Sequence, residues 1–127
     1  MIADGALYEK DRRRRRMDNE NKTTVLCGAN SYEEKYYLNP KFGNLPKQIK
    51  DELQIMCVMY VNDVGGIFLV EYDEEGSLHF RTEAIENDTT YDEIGGVLKI
   101  KELQRTKEEL LRSLELYYKV LMANGLK

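Results

Sequence analysis

Residues 45–83 read LPKQIKDELQIMCVMYVNDVGGIFLVEYDEEGSLHFRTE, and the way this stretch divides decides the fold. Pro46 suits the first position of a helix, where a missing N–H costs nothing. Ile49, Leu53, Met56, Cys57 and Tyr60 then recur at helical spacing. Gly65-Gly66 ends the helix. A strand over 54–61 competes, because Ile55 to Val61 is apolar throughout; the spacing from Ile49 onward favours a helix buried on most sides. Ile67 to Tyr72 is apolar apart from Glu71, as expected of an inner strand. Asp73-Glu74-Glu75-Gly76 is hairpin-turn chemistry. Ser77 to Glu83 alternates, with Leu78, Phe80 and Thr82 inward and His79, Arg81 and Glu83 toward water.

Working outward, Thr23 to Cys27 is β-branched and apolar and predicts a strand. Gly28-Ala29-Asn30-Ser31 predicts its turn, and Lys35 to Leu38 the returning strand, stopped by Asn39-Pro40. Ser31-x-x-Glu34 also fits a capping box, so a short helix competes here. Downstream, Thr90-x-x-Glu93 is a capping box opening a helix near Tyr91. Ile100, Leu103, Leu110, Leu114, Tyr117 and Leu121 continue it in three- and four-residue steps. Unbroken to Ala123, that helix would span roughly 50 Å, against a radius of gyration of ~14 Å for a domain this size. It must break, bend or project, and Thr106-x-x-Glu109 marks the expected break. Left unbroken, its end would need a partner surface. Gly95 and Gly96 in its first turns are expected to permit close packing on the sheet. The reading is one α+β domain over 23–127: an antiparallel sheet of two β-hairpins, order ββαββα, with a buried central helix and a long C-terminal one.

Charge separates the first 22 residues from the rest. Residues 1–22 hold seven basic and five acidic groups, net +2. The other 12 basic and 18 acidic groups leave 23–127 at net −6. An acidic body repels phosphate backbones. The exception is Arg12, Arg13, Arg14, Arg15 and Arg16, directly before Met17. Three readings stand: an arm binding RNA, DNA or an anionic surface by counterion release; a solvated basic tail; or a purine-rich ribosome-binding site read in frame, with Met17 the native start. No aromatic residue interleaves the arginines, as a single-strand binder would want. The intact mass of natively expressed protein separates the third reading from the other two.

Candidate chemistry is sparse. Cys27 and Cys57 sit in apolar runs and read as buried free thiols of a cytoplasmic protein. With His79 the lone histidine, they make no metal-ligand spacing, so neither metal nor cofactor is expected. His79 lies on a solvated strand face beside Arg81 and Glu83, which argues against a general base. Glu83, Glu86, Asp88, Asp92 and Glu93 form an acidic stretch without the ligand alternation of a calcium loop. Gly65-Gly66 and Gly95-Gly96 lack any phosphate-loop pattern. No catalytic residue is assigned. Leu111, Tyr118 and Met122 form a second stripe on the C-terminal helix, a candidate interaction surface. No apolar run approaches the ~20 residues of a membrane span, and no secretory signal is expected.

The segments TTVLCGANSYEEKYYLNP (23–40), LPKQIKDELQIMCVMYVNDVGGI (45–67) and YDEIGGVLKIKELQRTKEELLRSLELYYK (91–119) resemble a family of small proteins from clostridia and related Firmicutes, classed only as a domain of unknown function. The resemblance covers about residues 23–123. It implies a bacterial cytoplasmic origin and one compact domain, and supplies no activity, ligand or site residue. The expectation is a non-enzymatic interaction or regulatory module that binds itself or a protein partner. RNA binding through Arg12 to Arg16, and a small-ligand carrier or enzyme with a pocket near Cys27 and Tyr60, are the alternatives.

Overall fold

Pro46 and Gly65 are where the chain changes state. The computed structural model describes residues 23–124. Its elements are β1 (Thr24–Asn30), β2 (Lys35–Leu38), a 3-10 turn (Pro40–Phe42), α1 (Lys47–Val64), β3 (Ile67–Tyr72), β4 (Leu78–Glu83), α2 (Glu93–Thr106) and α3 (Glu108–Ala123). The strands form an antiparallel sheet in the order β2-β1-β3-β4. Two hairpins therefore join along β1 and β3, and the α+β class and the order ββαββα hold, with the last helix in two pieces.

α1 begins directly after Pro46 and ends at Gly65, whose φ of 92° is open to glycine and strained for other residues. Gly66, at φ 74°, completes the two-residue passage into β3. On the sheet, register places Cys27, Val70 and Phe80 on one face, followed by Ala29, Phe68 and Thr82. α1 and α3 pack there, and α2 lies against those two helices. Tyr60 of α1 stacks on Phe68 at 4.2 Å, and the Tyr72 hydroxyl donates to the Leu114 carbonyl of α3 at 2.8 Å. Leu53, Cys57, Tyr60, Phe68, Val70 and Tyr72 are fully buried. α1 is the central helix, but only one layer covers it. Its inward face is sealed, while Ile55 and Met59 lie outward and more than half exposed.

Three boundaries differ from expectation. β1 continues through Gly28 and Ala29 to Asn30, and the turn falls at 31–34 with Glu34 at φ 54°. Gly28 serves close approach inside the strand: a Cβ there would lie 2.5 Å from Leu69 Cδ2 and 2.8 Å from the Phe68 carbonyl oxygen. α2 is capped by Asp92, whose carboxylate accepts from the Gly95 N–H at 2.9 Å; the Thr90 hydroxyl is turned to Asp88 instead. The long helix does break near Thr106, at Lys107 (φ −109°, ψ 20°), but without a capping box. The Thr106 hydroxyl bonds back to the Glu102 carbonyl at 2.9 Å, which is the bend-promoting alternative to capping. Lys107 reaches Glu52 of α1 at 3.0 Å, holding the corner against the body.

The break turns α3 toward the β3–β4 end of the sheet. Glu115 there accepts from the Leu78 N–H at 2.8 Å. Contrary to the sequence expectation, Gly95 and Gly96 do not pack on the sheet. A Cβ at 95 would strike the capping Asp92 carboxylate, and one at 96 would lie 2.7 Å from the Tyr60 hydroxyl of α1.

The Gly28 contact is testable by urea denaturation. Gly28→Ala is expected to cost ~1–3 kcal/mol through overpacking. Leu69→Ala should relieve part of that in the double variant, because the carbonyl of Phe68 still obstructs. Additive single effects would show that Leu69 is not what Gly28 makes room for.

Candidate functional site

The described residues hold two polar constellations worth building up, one buried and one on the open face of the sheet. The buried one arises because β1 and α1 each turn a cysteine into the same core layer. Cys27 follows an irregularity between Val25 and Cys27 in the pairing with β3. Cys57 lies on the inward face of α1. Their sulfurs are 3.7 Å apart, and both residues are fully buried. The thirty-residue separation that made them look unrelated in sequence is the length of the excursion through β2 and α1.

Tyr36 closes the constellation from the edge strand. It pairs with Ala29, one pair beyond Gly28–Tyr37 and on the same sheet face as Cys27–Leu38. Its hydroxyl is buried without a hydrogen-bond partner. Burial pushes the Tyr36 phenol well above its ordinary range, with the Cys27 and Cys57 sulfurs adding to the effect. The Cys57 thiol is likewise pushed far up, first by its hydrogen bond with Cys27 and then by desolvation. A Cys57 thiol held protonated in this way is a poor nucleophile while the core is closed. Among the described residues no group of three or more His, Cys, Asp or Glu side chains is placed to hold a metal.

On the opposite sheet face, Glu71 and Arg81 face diagonally across the β3–β4 pair. The Arg81 guanidinium donates to Glu71 Oε2 from Nε at 3.0 Å and from Nη2 at 2.8 Å, and also reaches Glu83. Glu71 is buried by this pairing, on the otherwise solvated side of its strand. The sequence showed Glu71 only as a flaw in an apolar run. The signal available was the two-residue offset to Arg81 once the hairpin is folded at Asp73–Gly76. His79 pairs with Asp73 at the turn, Nε2 to Oδ2 at 2.8 Å, and both groups are accessible. That is a turn-stabilising pair: Asp73 also accepts from the Glu75 and Ser77 N–H groups.

The acidic stretch is largely consumed by the fold. Asp88 accepts from the Tyr32 hydroxyl at 2.5 Å and from Thr90, Asp92 caps α2, and Glu83 meets Arg81. Leu111, Tyr118 and Met122 are half-buried, and Tyr118 stacks on Tyr72 at 4.1 Å and on Phe42 at 6.3 Å. Arg12 to Arg16 lie outside the described residues. Among those described, no helix is long and apolar enough to cross a membrane.

A two-layer α+β domain with a closed core, one buried thiol pair and an ion-paired open sheet face is the class defined by this geometry. Residues 23–126 match the model of a family of unknown function, DUF6145, and the chain belongs to that family. No curated protein and no solved structure matches it.

The loop carboxylates set an acid limb. The Tyr32 and Thr90 hydroxyls hold Asp88 below the usual carboxylate range, and His79 and the Ser77 N–H do the same for Asp73. A depressed folded pKa stabilises above the unfolded value of about 3.9 and loses that contribution as pH falls through the folded value. Urea midpoints measured between about pH 6 and pH 2 should therefore fall more steeply in the wild type than in Asp88→Asn; equal slopes would contradict the assignment. Tyr32 acts at the other end. Its phenol is pushed up to about 12, by burial first and then by Asp88. Its contribution is intact below about pH 10 and lost as pH rises through the folded value.

Proposed function

We propose that the domain is a non-enzymatic protein-interaction module that pairs with a second copy of itself through the outward face of α2. The observation that supports this is Ile94, Val97 and Leu98, exposed by 76%, 53% and 63%. Spaced i, i+3 and i+4, they share one helix face. Single exposed apolar residues are ordinary, but an adjacent group on one face is not. Full burial of such a side chain is worth roughly 1.5–3 kcal/mol.

Charge favours a second copy of the chain as the occupant. Lys101 and Arg105 continue the same face toward the C-terminal end of α2. Asp92 and Glu93 stand at its N-terminal end, with Glu86 and Asp88 in the loop before it. In an antiparallel two-fold pairing centred on Leu98, the basic end of each helix meets the acidic end of its partner, and the helix dipoles oppose. The half-buried stripe of Leu111, Tyr118 and Met122 is less suited to this role, since the Tyr118 ring is already engaged with Tyr72 and Phe42.

Light scattering over a concentration series is expected to show a dimer. Leu98→Glu should weaken it by more than about tenfold. Leu116→Glu, on the outward face of α3, should leave it unchanged. A strict monomer at high concentration, or a dimer indifferent to Leu98→Glu, would overturn the proposal.

A further inference from the structure

We propose that Cys27 and Cys57 are a paired oxidation site, converted by hydrogen peroxide into an intramolecular disulfide that ties β1 to α1. The argument is geometric. The two sulfurs already touch at 3.7 Å, with no side chain between them, and no third thiol is present in the chain. They belong to different elements, so a bond would join strand and helix across the layer interface rather than staple a turn. Tyr36, which flanks the pair from β2, has a hydroxyl with no hydrogen bond to hold it in place. Tyr36 sits on β2, an edge strand of four residues with a single neighbour. Short edge strands open locally at far lower cost than the whole domain unfolds. Opening β2 lifts Tyr36, and with it Leu38, the register partner of Cys27. It therefore uncovers Cys27 first and leaves Cys57 beneath it on α1.

The order of the chemistry follows. The Cys27 sulfur, ionised on opening, attacks one peroxide oxygen; an S–O bond forms and the O–O bond breaks. The departing hydroxide takes up a proton as water, and Cys27 becomes a sulfenic acid. The Cys57 sulfur then attacks the Cys27 sulfur. The S–S bond forms, the S–O bond breaks, and the leaving hydroxide takes the Cys57 proton as a second water. Two thiols and one peroxide give one disulfide and two waters. Contact, not acidity, suits Cys57 to the second, resolving step: its sulfur already lies 3.7 Å from that of Cys27.

The test uses the full chain, treated with hydrogen peroxide in the native state, then unfolded, alkylated and weighed. The expected result is loss of two hydrogens in mass, no alkylation at either cysteine, and a melting temperature higher by roughly 5–15 °C. Dithiothreitol should reverse all three. Cys57→Ser should form no bridge and should stop at the Cys27 sulfenic acid, trapped by dimedone; Cys57→Ala gives the same readout if the serine is poorly tolerated. Two thiols that remain fully alkylatable after prolonged treatment would overturn the proposal. So would a disulfide between chains on a non-reducing gel, or oxygen addition to both cysteines without a bridge.

Discussion

Tyr72 carries the one set of contacts on which the arrangement of this domain rests. It is the last residue of β3, fully buried, with its ring stacked on Tyr118 at 4.1 Å and on Phe42 at 5.6 Å. Its hydroxyl is satisfied by the Leu114 carbonyl. One side chain therefore fixes three elements that are remote in sequence: the central strand, the 3-10 turn leading toward α1, and α3. Aromatic pairs of this kind are worth ~0.5–1.5 kcal/mol beyond the area they bury. A buried hydroxyl with a partner also specifies direction, which apolar packing alone does not. Because α3 must reach Tyr72, the C-terminal helical segment cannot continue straight from α2. The corner at Lys107 is a consequence of that demand, and Lys107–Glu52 holds it in place.

Much of this was legible in the chain. α1, β3 and β4 lie where the 3.6- and 2-residue periods put them, because each buries one continuous face and each is bounded by Pro46, Gly65-Gly66 or Gly76. That the C-terminal helix could not run straight on followed from its length, and Thr106-x-x-Glu109 marked the place. Cap identity was the part misread. Thr90-x-x-Glu93 and Thr106-x-x-Glu109 have the spacing of capping boxes, yet Asp92 and Lys107 occupy the N-cap positions. Short-range spacing does not reveal whether a hydroxyl has a better partner nearby, and both threonines do. Gly28 misled for a related reason. A glycine next to Asn and Ser reads as a turn, whereas its use here is to let Leu69 lie across the strand, a contact between residues forty-one apart in the chain.

The polar constellations were the least visible, and again the reason is physical. The Cys27–Cys57 contact depends on how far along its axis α1 sits on β1, which no local pattern encodes. The Glu71–Arg81 pair depends on hairpin register, which was in reach once the turn was placed. It also explains how an inner strand tolerates a carboxylate. A bidentate guanidinium supplies two donors to one oxygen, and Arg81 stays partly solvated, so the pair avoids the full desolvation penalty of a buried ion pair.

The Glu115–Leu78 hydrogen bond has a bearing on the fate of the sheet margin. β4 borders the described sheet, and an open border strand offers alternate N–H and C=O groups to any passing extended chain. Leu78 directs its N–H away from β3, so the amide nitrogens of Phe80 and Thr82 share that outward side. By accepting the first of these donors, Glu115 occupies the position from which a foreign strand would begin to zip. A carboxylate on a helix thus takes up a donor that an incoming strand would need, and it can do so only while α3 stays docked at Tyr72.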